Sequence, residues 1–252
     1  MSAIIEVKNL VKKYGDFTAV DDISFSVEQG ETFGILGPNG AGKTTTLEMI
    51  EGLKRPTSGT IALDGKDVVR ETDAVKSVIG VQLQASTFFE SLNLVELLDV
   101  FAALYNRTDV DPMALLAEVE LTDKAKNEVK ELSGGQKQRF SIAVGLVNDP
   151  KVLFLDEPTT GLDPQARRHL WELVKQIKAK GKTVILTTHY MDEAEVLCDR
   201  IAIMDHGKVI ALETPNQLIK NLLASGFSKP VLQQEANLED VFLQMTGHAL
   251  RE

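Results

Sequence analysis

Three stretches of the chain hold residue types that can act together on phosphate. Gly37-Pro38-Asn39-Gly40-Ala41-Gly42-Lys43-Thr44 fits the pattern G-x-x-x-x-G-K-[ST]. Glycines at this spacing let the backbone curl so that several N–H groups point inward and cradle β- and γ-phosphate oxygens. A helix starting there aims its positive end at the same anion. Lys43 adds a point charge, and Thr44 offers a hydroxyl to Mg²⁺, with Thr45 beside it. Farther on, the apolar run Val152–Leu155 ends in Asp156-Glu157. Asp156 suits the Mg²⁺ shell through water, and Glu157 can orient or deprotonate an attacking water. The third stretch is Leu132-Ser133-Gly134-Gly135-Gln136-Lys137-Gln138-Arg139. Ser133 can hydrogen-bond an anion, and the amides of Gly134 and Gly135 point along the axis of the helix they open. A chain with one anion site therefore carries a second.

These residues need rigid supports. Thr32–Leu36 reads as a short buried strand running into the phosphate loop, with a helix from Lys43 to about Leu53 after it. The runs Val152–Leu155, Thr183–Leu186 and Ile201–Met204 are nearly all apolar, as are strands buried on both faces of a parallel sheet. Helical stretches such as Pro164–Lys180 separate them, which predicts a doubly wound α/β core with ligands at the C-terminal strand ends. Ile4–Val7 and Ala19–Val27 alternate as half-buried strands do. Between Thr87 and Glu131 the pattern is helical. Leu94, Leu97, Leu98, Phe101, Ala102 and Tyr105 form one stripe, capped by Asn93; Leu115, Leu116 and Val119 form another behind Asp111-Pro112. Pro215–Ala224 and Leu238–Met245 read as helices of a tail.

Composition sets further bounds. Hydrophobic residues make up 43% of the 252, enough for a sizeable core. The net charge of −10 disfavours nonspecific binding to a phosphate backbone. The single cysteine, Cys198, excludes an intrachain disulfide and reads as a small packed residue in a helical pattern. Met1-Ser2-Ala3 runs straight into a strand pattern, so no signal peptide is expected. The apolar runs fall far short of the ~20 residues that cross a bilayer, so any pore must be another polypeptide.

Taken together, the phosphate loop, the Asp156-Glu157 strand end and the Ser133–Arg139 stretch resemble the motif set of ATP-binding cassette (ABC) proteins over nearly the whole chain. The resemblance implies a P-loop NTPase (RecA-like) α/β core with an N-terminal antiparallel β subdomain and an inserted α-helical subdomain. One cassette would span 1–252: residues 1–86 and 132–213 as core and β subdomain, 87–131 as helical insertion, 214–252 as tail. It implies that Ser133, Gly134, Gly135 and Gln136 of one subunit complete the ATP site of another, with two ATP sandwiched in a head-to-tail dimer of identical or paralogous cassettes. Tyr14 matches the aromatic that stacks on adenine, a base-tolerant contact that predicts weak discrimination between ATP and GTP. Gln84 matches the glutamine that reaches Mg²⁺ or the attacking water; Leu83 stands where proline is usual, and Gln82 is a rival. Thr160-Gly161-Leu162-Asp163 resembles the loop that crosses the dimer interface, and His189 the histidine beside the γ-phosphate.

His189-Tyr190-Met191-Asp192-Glu193-Ala194-Glu195 and Leu238–Leu243 resemble the exporter-type branch. They imply an ATPase with ATP and Mg²⁺ as cofactors, driving a separate transmembrane permease from the cytoplasmic face of the membrane. The alternative is a soluble cassette ATPase acting on nucleic acid or ribosomes. DNA-repair versions need a long coiled-coil insertion and translation factors usually carry two cassettes; the compact, single-cassette, acidic chain fits neither. A small-molecule kinase or GTPase needs no second glycine-rich anion site.

Overall fold

The computed structural model describes residues 3–82, 88–89 and 91–227. They divide into two units between Gln217 and Leu218. In the first, β1 (Ala3–Tyr14) and β2 (Phe17–Glu28) form a long antiparallel hairpin. Then come β3 (Thr32–Leu36), α1 (Lys43–Ile50), β4 (Ser58–Leu63), β5 (Lys66–Asp67), α2 (Thr72–Lys76) and β6 (Ile79–Gln82). Helices α3 (Leu94–Leu104) and α4 (Pro112–Glu118) lead through two 3₁₀ turns to α5 (Gly134–Leu146). The chain continues with β7 (Val152–Asp156), α6 (Pro164–Ala179), β8 (Thr183–Thr188), α7 (Met191–Leu197), β9 (Arg200–Asp205), β10 (Lys208–Glu213) and α8 (Pro215–Ala224).

Two sheets result. A four-stranded antiparallel sheet runs β2-β1-β4-β5, and a six-stranded sheet runs β10-β9-β3-β8-β7-β6, parallel except for β10. Every residue of β3, β7 and β8 is buried, as their apolar runs require. Phe25 of the first sheet stacks on Phe33 of the second, centroids 5.3 Å apart, within one core that includes Leu47, Met49 and Phe154. Removing a ring such as that of Phe154, which has no exposed surface, would cost ~3–5 kcal/mol.

The helical segment forms as its caps dictate. Asn93 accepts from Glu96 N while Glu96 accepts from Asn93 N, and Asp111 accepts from Met113 N and Ala114 N. The segment clamps the first half of α5: Phe88 lies edge-on to Phe101 and Phe140, and Arg139 Nη1 donates to Val119 O and Glu120 O. Differences from the sequence reading are local. Helix α1 ends at Ile50, short of Leu53, and β1 and β2 run longer than their alternating patterns. Cys198 caps the end of α7, buried against Gly34 of β3, and burial pushes its thiol well up. The Leu238–Met245 helix lies outside the described residues.

Candidate active site

Strands β3, β8 and β7 are neighbours, and their register puts Leu36 beside Thr188 and Asp156 beside Thr187. The phosphate loop, His189 and Glu157 therefore leave the sheet at one level and on one edge. They surround an open cleft of about 620 Å³ lined by Asn39, Gly40, Gly42, Lys43, Thr44, Thr45, Glu157, Thr160 and His189, with Phe17 and Ala19 on its outer wall.

The loop builds a positive floor. Gly42, the N-cap of α1, adopts φ 100°, and a Cβ there would meet Ala19 O at 2.5 Å. Only glycine fits on both counts. No side chain caps α1 and its first turn holds no acid, so the leading amides stay open to an anion. Lys43 is 4% exposed; its ammonium donates to Gly37 O at 2.9 Å and Pro38 O at 3.2 Å, and stands 3.4 Å from Glu157 Oε1. Gly37, Pro38 and Ala41 shape the loop from behind and do not line the cleft.

The acidic side is held as firmly. Glu157 N donates to Thr187 Oγ1 at 3.0 Å, and Thr160 Oγ1 donates to Glu157 Oε2 at 3.2 Å. The residue sits at φ 47°, a left-handed conformation costing ~1–3 kcal/mol in a non-glycine residue. His189 Nδ1 lies 3.3 Å from Glu157 Oε1. Asp156 accepts from Thr44 Oγ1 at 3.3 Å and from Thr187 Oγ1. Burial pushes the Asp156 carboxyl up, the Thr187 hydroxyl opposes that, and the Glu157 charge adds to it. A hydroxyl and a carboxylate oxygen held together make a hard-oxygen pair that suits Mg²⁺.

Other expected residues lie elsewhere. Ser133 caps α5, accepting from Gln136 N at 3.3 Å while its own N donates to Gln136 Oε1 at 2.9 Å. Ser133 and Gly134 are exposed, and none of Ser133–Gln136 lines the cleft of its own chain. Asp163 caps α6 through Ala166 N at 2.8 Å. Tyr14 ends β1 with Lys12 Nζ 5.1 Å and Lys54 Nζ 5.9 Å from its ring centre, while the aromatic on the cleft wall is Phe17. Gln84 lies outside the described residues. Sequence reasoning missed Phe17 and Thr187; an aromatic opening the strand beside Tyr14, and a hydroxyl ending a buried apolar run, were the available signals.

The profile of the ABC transporter family matches residues 20–160, which include the phosphate loop, the Ser133 stretch and Asp156-Glu157. This chain belongs to that family, as an ATP-binding and ATP-hydrolysing subunit of the kind that works in pairs with a transmembrane permease. Among its relatives, Nod factor export ATP-binding protein I of Burkholderia orbicola is 38% identical, the match covering 99% of each chain. Linearmycin resistance ATP-binding protein LnrL of Bacillus subtilis is 43% identical over 87% of this chain and 72% of its own. Among solved structures, cbiO1 of Clostridium perfringens, part of the ABC transporter complex cbiONQ, superposes with a TM-score of 0.79 at 28% identity, covering 89% of this chain and 94% of that one. The cassette MJ0796, a dimer in a post-hydrolysis state with ADP and Pi, gives 0.75 at 28% identity, covering 84% and 98%. No helix among the described residues is long and apolar enough to cross a membrane.

Proposed function

We propose that this subunit powers an exporter, with Glu157 as the base that activates water against the γ-phosphate of ATP. The observation that carries the reading is the position of the Glu157 carboxylate, 3.4 Å from Lys43 Nζ and 3.3 Å from His189 Nδ1 over the phosphate cleft. An entering triphosphate competes with Glu157 for the Lys43 ammonium. Once Lys43 turns to phosphate, Glu157 Oε1 is free to take a proton from water as its oxygen attacks the γ-phosphorus and ADP leaves. His189 holds the γ-phosphate and keeps the water and Glu157 in place. Thr44 and Asp156 would hold Mg²⁺, which would neutralise phosphate charge as it develops. Gln84 is the better candidate for the sensing glutamine, because Gln82 is fully buried and donates to Gln138 Oε1 at 2.8 Å.

In this reading the Ser133–Gln136 turn of each subunit, exposed at Ser133 and Gly134, caps the ATP of the other, and Asp163 lies along the seam between them. Tyr14 stacks on the base, and the insertion 87–131 transmits closure to a permease that holds the subunit at the cytoplasmic face of the membrane. Export follows the relatives named for Nod factor export and linearmycin resistance. Closure does work because ATP binds the closed pair better than the open one. The test is Glu157→Gln: ATP binding stays and steady-state hydrolysis falls by ~10²–10⁴. Unchanged hydrolysis would remove Glu157 from the role of base.

A further inference from the structure

The imidazole of His189 is placed by the face of a neighbouring ring. Its Nδ1 is buried and makes no hydrogen bond of good geometry, although Glu157 Oε1 lies 3.3 Å away. The next residue supplies the contact. The Tyr190 ring lies against the imidazole, with centroids 4.1 Å apart and planes tilted by 38°. The guanidinium carbon of Arg167, on α6, stands 4.4 Å from the centre of the Tyr190 ring. Three flat groups are thus in succession: Arg167 on Tyr190, and Tyr190 on His189.

The backbone of Tyr190 is fixed independently. It is the N-cap residue of α7, and its N–H donates to Thr188 Oγ1 at 3.0 Å. What remains is the rotation of the ring, and Arg167 bears on that. Arg167 sits in the first turn of α6, its N–H donating to Asp163 O at 3.0 Å. Charge pairing accounts poorly for its placement. Its Nη1 comes only within 3.6 Å of Asp192 Oδ2, on a side chain more than half exposed, and its Nε is buried without a hydrogen-bond partner. An ion pair with an exposed acid stabilises little, and a buried donor left unpaired is costly. A ring face attracts a cation within about 6 Å of its centre, and the Tyr190 ring is the face that Arg167 meets.

We propose that Tyr190 is a positioning residue for hydrolysis: Arg167 clamps its ring, and the ring holds the His189 imidazole at the phosphate cleft. This rests on the role given above to His189. Neither Tyr190 nor Arg167 lines the cleft, so both act through His189. Displacements of about 1 Å at a reacting centre cost ~10²-fold. The phosphate loop and Lys43 carry the affinity for ATP, so the clamp acts on kcat and leaves binding alone.

The test measures release of radiolabelled phosphate and equilibrium binding of a fluorescent ATP analogue by the full chain. Tyr190→Ala lowers kcat by about 10- to 100-fold, with the dissociation constant of the analogue unchanged. Tyr190→Phe, which keeps the ring and loses the hydroxyl, recovers most of the lost rate. Arg167→Met, which keeps the stem and removes the cation, lowers kcat by about 3- to 10-fold. In a His189→Ala chain, Tyr190→Ala brings no further loss, because no imidazole is left to hold; a merely structural role would add its own loss there. Trp171, the chain's only tryptophan, lies one turn along α6 from Arg167, so its emission reports whether each variant stays packed. A folded Tyr190→Ala with normal kcat overturns the proposal. So does a Tyr190→Phe as impaired as Tyr190→Ala, a loss of affinity matching the loss of rate, or an undiminished further loss in the His189→Ala chain. Should Tyr190→Ala fail to fold, Arg167→Met decides: it lowers kcat with affinity unchanged, and a normal kcat sinks the idea. If His189→Ala itself hydrolyses ATP at the normal rate, the role given to His189 has failed; if His189→Ala is impaired while Tyr190→Ala and Arg167→Met are normal, only the clamp has failed.

Discussion

Helix α1 follows a glycine N-cap, α5 opens on glycine, and both present a positive end, yet their N-termini are finished in opposite ways. The start of α1 has no capping side chain, and the lysine of its first turn is buried inside the cleft. The start of α5 is closed by a reciprocal Ser133–Gln136 cap and lies on the surface, away from that cleft. An uncapped end leaves donors for a phosphate supplied in the same chain. A capped, exposed end is pre-shaped, so it can meet an anion carried by another molecule without first being ordered. On the proposed reading, the difference separates a site that binds from a surface that closes.

The hardest blow to that comparison falls on α1. Lys43→Ala removes the cleft's buried cation and leaves Glu157 without its partner. ATP binding should fall by at least about 10²-fold, the scale of truncating one side of a buried charge pair. Tight ATP retention by this variant, measured by equilibrium dialysis, would contradict the assignment. Next comes Gly135→Ala on α5. The new methyl would sit 2.9 Å from Ala166 Cβ, and overpacking of this kind costs ~1–3 kcal/mol. ATP binding to the single chain should be intact, while ATP-driven pairing in a Glu157→Gln background weakens by about 10- to 100-fold. Equal loss of both would erase the distinction between the two helix ends.

Ser133→Ala should cost about 1 kcal/mol of stability through the lost cap. It should slow hydrolysis with no change in single-chain ATP affinity. The weakest effect on turnover belongs to the far end of α1, where Glu51 caps the helix at its negative pole. Burial, then the charges of Asp156 and Glu48, push its carboxyl up to about 8. The folded state thus favours the protonated acid. That preference is fully present below the ordinary carboxylate range, near 4.5, and is lost as pH rises through about 8. Urea midpoints should fall between these pH values in the natural chain and fall less in Glu51→Gln, with the gap widest above pH 8.

Much of this was legible in the chain itself. The runs Thr32–Leu36, Val152–Leu155 and Thr183–Leu186 carry enough apolar residues to announce buried parallel strands, and Asn93 and Asp111 announce their helices by capping chemistry. The phosphate loop and the Asp156-Glu157 pair could be read because their spacing follows from phosphate geometry. What escaped was fixed by tertiary neighbours. β10 is an edge strand, only partly buried along its length, so its pattern is weak. Thr187 and Arg167 look ordinary in sequence; their roles come from β7 lying beside β8 and from α7 packing on α6. Phe17 reaches the cleft only because the hairpin carries it there.

The claim on which most depends is that the α5 N-terminus of one chain lies against the phosphate loop of another. Cys198 is buried and its thiol is pushed well up, so it stays silent toward mild oxidants. Asn39→Cys and Ser133→Cys introduced together in the Glu157→Gln chain, then oxidised with and without ATP and Mg²⁺, put the question directly. The account predicts a covalent dimer of twice the chain mass that forms only with ATP. A chain that stays monomeric under oxidation, or one that links its two new cysteines internally, would contradict it.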